Sequence, residues 1–116
     1  MRYLLLIYGD RDHNPSPEEQ GQIFQAYTAF TRDIQERGLM RAGEALETVE
    51  TAKTIRVRNG ERLVSDGPFA ETKEQLGGFY SIECDTLDEA IETAARIPVA
   101  GHGSVEVRPI MELPNA

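Results

Sequence analysis

The chain carries two histidines, one cysteine and twenty acidic residues, and a few of these sit where a rigid backbone could aim them. Asp66 stands in Ser65-Asp66-Gly67-Pro68-Phe69. A carboxylate held before Gly-Pro keeps a fixed angle and, if partly desolvated, acts as a general base with a raised pKa. The same residue types also make a turn in which the aspartate accepts backbone hydrogen bonds. His102 lies between Gly101 and Gly103 ahead of the last apolar alternation. An imidazole there suits proton transfer, and the chain order is expected to bring it to the same end of the sheet as Asp66. His13, in a polar loop, reads as a solvated side chain.

Glu106 and Arg108 are two apart in a strand pattern and so share a face. They either neutralise one another in solvent or line a cavity, the arginine then taking an anionic group. Glu44, in Gly43-Glu44-Ala45-Leu46, is a second carboxylate beside the expected cavity, and Tyr80 can offer its phenol to a ligand hydroxyl. Cys84 reads as a small buried hydrophobe and has no partner for an internal disulfide. No phosphate-binding loop, dinucleotide fingerprint, nucleophile elbow or metal-ligand spacing occurs, so neither cofactor nor metal is expected.

These residues must be placed by one domain spanning 1–116, since a chain of 116 residues has room for a single core. Twelve basic against twenty acidic residues give a net charge of −8, which repels phosphate backbones and argues against direct nucleic-acid binding. The apolar runs are too short to span a membrane, and the first residues lack a secretory pattern, so a cytoplasmic location is expected.

The nearly continuous apolar run Arg2 to Tyr8 predicts a central strand. Ser16-Pro17-Glu18-Glu19 predicts a capped helix start, with Ile23, Tyr27, Phe30 and Ile34 on one face and Gly38 as the stop. A short strand over 42–46 follows. Asn59-Gly60 between alternating segments predicts a hairpin over 54–64, with Arg58 facing Glu61 and Val57 facing Arg62. Gly78 to Cys84 predicts a strand with Tyr80, Ile82 and Cys84 on one side, preceded at Gly77-Gly78 by a bulge or close backbone approach. Thr86 caps a second helix whose inner face is expected to hold Leu87, Ala90, Ile91, Ala94 and Ala95, and Pro98 stops it. Ser104 to Ile110 is the last strand, with Val105 and Val107 opposite Glu106 and Arg108. The order is a ferredoxin-like βαββαβ with an extra hairpin: an α+β fold with an antiparallel sheet and both helices on one face. The other apolar face is then left for a copy of the chain, and two such sheets would enclose a cavity.

The segments YLLLIYGD, RVRNGERLVSDGPFAETKEQLGGFY, DTLDEAIETAARIP and HGSVEVRPI together resemble the YCII-related family, in its DGPF-containing branch, over about residues 1–112. The resemblance implies a homodimeric α+β barrel of ferredoxin-like subunits. The wider family includes a dehydrochlorinase acting on chlorinated aromatic diols, and DGPF members often accompany extracytoplasmic-function sigma factors. Other members are associated with a histidine and aspartate pair, the histidine in or near the first helix. Residues 17–37 here contain no histidine, and Tyr27 is the nearest polar aromatic side chain.

Two functions fit these observations. One is a cofactor-independent enzyme doing lyase- or isomerase-like proton transfer on a small molecule near a dimer interface, with Asp66 as base, His102 as its partner and Arg108, Glu106, Tyr80, Glu44 and Tyr27 around the substrate. The other is a non-catalytic ligand-binding or regulatory dimer that works with a protein of a sigma-factor system.

Overall fold

Local signals start and stop the first helix. Ser16 Oγ accepts from the Glu19 backbone N–H at 3.2 Å, and Glu19 Oε1 accepts from the Ser16 N–H at 3.0 Å, closing the capping box. Helix α1 runs from Pro17 to Glu36 and ends before Gly38, whose φ of 72° is the left-handed turn that glycine takes without strain. The computed structural model describes residues 1–114. Among these, no helix is long and apolar enough to cross a membrane.

The strands are β1 (Arg2–Asp10), β2 (Met40–Ala45), β3 (Lys53–Arg58), β4 (Glu61–Asp66), β5 (Glu74–Glu83) and β6 (Ser104–Pro109), and the second helix is α2 (Leu87–Ala95). Four of the strands form one antiparallel sheet in the order β2-β5-β1-β6, and β3 pairs only with β4. This is the expected ferredoxin-like α+β fold, with β3 and β4 inserted between β2 and β5. The insert turns as its Asn-Gly pair dictates, Asn59 at φ 52° and Gly60 at φ 78°, with Arg58 opposite Glu61 and Val57 opposite Arg62.

β1 is an inner strand, and its alternation sorts the two faces of the sheet. Tyr3 and Leu5 pack with Tyr80 and Ile82 of β5, under Phe30 and Ile34 of α1 and Ala90 and Ala94 of α2. Leu4, Leu6 and Tyr8 point to the opposite face beside Ser81, Phe79 and Leu76, and stay half-buried. β5 begins four residues earlier than the alternation predicts, because Glu74 to Leu76 continue the ladder with Asp10 to Tyr8 after a bulge at Gly77.

The inner face of α2 differs from the expected stripe. Ala90, Thr93 and Ala94 are buried, whereas Ala95 is exposed and Leu87 and Ile91 are 47% and 49% exposed. Small side chains let the helix sit close to the sheet, which rotates the two larger ones out to the surface. Arg96, at the end of α2, ion-pairs with Asp33 of α1 and ties the helices together.

The bulged strand depends on glycine. A Cβ on Gly78 would lie 2.7 Å from the Glu44 carbonyl oxygen on β2, a contact only backbone movement can relieve. Gly78→Ala should cost about 1–3 kcal/mol in urea denaturation. Gly21→Ala, in mid-helix with nothing within 4 Å, should instead stabilise by about 0.5–1 kcal/mol.

Candidate functional site

Helix α1 packs unevenly on the sheet. Its carboxyl half is anchored by Phe30 and Ile34, while Ile23 and Phe24 in the amino half are exposed and Tyr27 is half-buried. The sheet gives the reason. On the helix side, Gly78 of β5 lies between Ile7 of β1 and Ala45 of β2, and Gly43 of β2 lies beside Tyr80. Two glycines and an alanine leave this part of the layer unfilled, and the amino half of α1 spans the gap.

The result is a groove of about 540 Å³ bordered by Tyr27, Thr31, Gly43, Gly78, Tyr80 and Val99. A second hollow of about 230 Å³ adjoins it, the two sharing Gly9, Ile23, Tyr27 and Val99, and this hollow also meets Asp10, His13 and His102. The walls are mainly apolar with a few polar groups, as in sites that hold small organic ligands. Tyr80 is fixed edge-on to Phe30, ring centroids 5.2 Å apart, and its hydroxyl lies 2.7 Å from Thr31 Oγ1. Burial, and then the neighbouring Tyr80, raise the pKa of Tyr27, which stays a neutral phenol able to donate a hydrogen bond.

The two histidines meet at the end of the smaller hollow, their rings 6.1 Å apart and 27° from parallel. Each is placed by its backbone. The His13 N–H donates to the Asp10 carbonyl at 3.1 Å, and Asp10 Oδ1 accepts from the Asp12 N–H at 2.9 Å, folding the loop after β1 back on itself. His102 follows a 3₁₀ turn (Pro98–Gly101), and its N–H donates to the Val99 carbonyl at 3.0 Å. The next residue must be glycine, since a Cβ on Gly103 would lie 2.5 Å from the Tyr8 carbonyl oxygen. Among the described residues no group of three His, Cys, Asp or Glu side chains converges to hold a metal ion.

The residues named from the sequence fall in three places. His102, Tyr27 and Tyr80 border the groove and its adjoining hollow; Glu44 meets the groove's edge, but it pairs with Phe79 and so shares the helix-free face of the sheet. Glu106 and Arg108 lie on the helix-free face, where Arg108 Nε donates to Glu106 Oε2 at 2.8 Å. Asp66 ends β4, with its side chain 86% exposed and paired across the hairpin with Lys53. That ammonium holds the Asp66 carboxyl below its ordinary pKa, the opposite of desolvation. Asp66 borders neither the groove nor the hollow that adjoins it, so the structure does not bring it together with His102.

The sequence does not single out Asp10, and it reads His13 as solvated, yet both line the smaller hollow. A topological signal was available, because β1 and β6 are antiparallel neighbours with Tyr8 opposite Ser104. The loop leaving β1 and the turn leading to β6 therefore lie at one end of the sheet, which brings His13 to His102.

The model of the YCII-related domain matches residues 1–114. The chain belongs to the YCII-related family. It is also similar to a protein of Rhizobium meliloti (strain 1021) named "Uncharacterized protein R00369", 41% identical over 114 residues that cover 95% of this chain and 92% of the relative. Family and fold thus agree, and neither assigns a reaction.

The phenol of Tyr27 should titrate above its ordinary value of 10.0 in an ultraviolet absorbance titration, and Tyr27→Phe should remove that late step. Because the folded state holds this proton more tightly, its contribution to stability is complete below pH 10.0 and fades as pH rises through the folded value.

Proposed function

We propose that the groove beneath α1 binds a small, mainly apolar molecule and that His102, with His13 beside it, moves a proton to or from that molecule. The reading is a cofactor-independent lyase- or isomerase-like reaction, carried out in the cytoplasm. One observation carries it: the chain's two histidines, far apart in sequence, stack at the end of a hollow that continues into an apolar groove. One imidazole can accept a proton while its neighbour, in the other protonation state, donates. Asp10 lines the same hollow and can stabilise a cation formed there. Tyr27 supplies a neutral hydroxyl to a polar atom of the substrate, and Tyr80 fixes the far wall.

The helix-free face supports a homodimer. Leu4, Leu6, Tyr8 and Phe79 leave a half-buried apolar surface there, and the Glu106–Arg108 pair neutralises its own charge, so a second copy buries little net charge by covering it. The Asp66-Gly67-Pro68-Phe69 segment supports a DGPF-containing member of the family.

A second reading also has an observation behind it. Among the described residues no side-chain hydrogen bond orients either imidazole, and a catalytic histidine is commonly held by such a partner. A ligand-binding dimer that regulates a protein partner, such as one of a sigma-factor system, needs no such orientation.

A thermal-shift screen of phenols and enolisable acids should find a binder. Exchange of the binder's acidic C–H proton in heavy water, followed by NMR, then separates the readings. Enzyme action predicts exchange that falls about 100-fold or more in His102→Ala with the melting temperature kept. Binding without exchange in the wild-type protein favours the regulatory reading.

A further inference from the structure

The β3–β4 ribbon is the part of the molecule that the groove and its chemistry leave unused. Its six cross-strand pairs close on themselves, and its base is held by Gly67 N–H to Ala52 O at 2.8 Å and Thr54 Oγ1 to Gly67 O at 2.9 Å. No helix or sheet strand packs extensively against it. The radius of gyration is 16.3 Å, against about 13 Å for a compact chain of this length, as a projecting arm requires.

The two faces of the ribbon differ. Ile55, Val57 and Val64 share one face with Arg62, the three aliphatic side chains being 56%, 59% and 59% exposed. Arg56 and Arg58 lie on the other, opposite Leu63 and Glu61. Both outer edges carry unpaired backbone groups, and a lone two-stranded hairpin is marginal in water. Three branched aliphatic side chains on such an element are a cost unless something covers them.

Charge identifies what covers them. The ribbon holds Lys53, Arg56, Arg58 and Arg62 against Glu61 and Asp66, which leaves eight basic against eighteen acidic residues in the rest of the chain. We infer that the ribbon is a docking arm that reaches onto the acidic body of a second copy, its aliphatic face laid against that surface and Arg62, on the same face, meeting a carboxylate. A second copy is present at the concentration of the chain itself and has the complementary sign. The inference rests on the homodimer proposed above and adds to it a contact outside the sheet face.

Sedimentation of the wild-type chain and of two variants tests it. Arg62→Glu changes an exposed side chain on the aliphatic face, and Ile55→Ser/Val57→Ser removes that face. Circular dichroism melting confirms that the body of each variant is folded. The expected result is a wild-type dimer that weakens as salt rises from about 50 to 500 mM, and a dissociation constant raised about tenfold or more in each variant. A wild-type dimer whose constant stays unchanged in both variants overturns the arm and leaves the dimer standing. A wild-type chain that is monomeric at micromolar concentration overturns both. Heparin binding that is lost in the arginine variant, with the dimer constant unchanged, also overturns the inference and assigns the arm to a polyanion.

Discussion

The rest of the molecule depends on a shortage of side chains at one place in the sheet. Where β1, β5 and β2 lie side by side beneath α1, the helix-facing positions are Gly78, Gly43 and Ala45. A close-packed interior requires that layer to be filled, and only Ile7 and Tyr80 are at hand to fill it. The glycines are not free to change. A Cβ on Gly43 would stand 2.9 Å from the Tyr80 ring, and one on Gly78 would strike the backbone of β2. The pairing that holds the sheet together therefore keeps the gap open, and the amino half of α1 roofs it without closing it.

That gap also explains why the polar groups stand where they do. Thr31 and Tyr80 satisfy each other at the inner end, so no buried side-chain oxygen or nitrogen among the described residues lacks a partner. The histidines come from loops at the outer end, where water reaches them. Cys84 plays no part in this arrangement. It is buried, its thiol is pushed up chiefly by desolvation, and its Sγ lies 3.3 Å from the Thr86 carbonyl oxygen, as befits a packing residue.

Much of this fold was legible in the sequence because its signals are local. The Ser16 box, the Asn59-Gly60 turn, the Gly77 bulge and the alternation of Val105 and Val107 against Glu106 and Arg108 each depend on a few adjacent residues. The misread stripe of α2 has a different cause. Leu87 and Ile91 share a helical face with Ala90 and Ala94 to within one rotation, and the choice between them was made by how closely the helix could approach the sheet. Asp66 showed the limit again, for a rigid turn says nothing about which end of the molecule it occupies or that Lys53 lies across from it. The meeting of His13 with His102 follows from strand adjacency, a property of the whole topology that no window of sequence contains.

Family membership assigns the architecture and leaves the chemistry to this geometry. Chemical-shift mapping on isotopically labelled protein, titrated with a binder from the thermal-shift screen, tests most directly whether the unfilled layer is where a ligand sits. The amides of Ile23, Tyr27, Gly43, Gly78 and His102 should shift together with one saturating curve while those of the β3–β4 ribbon stay in place. Shifts confined to the ribbon or to the helix-free face, with the five groove amides unmoved, would contradict the account.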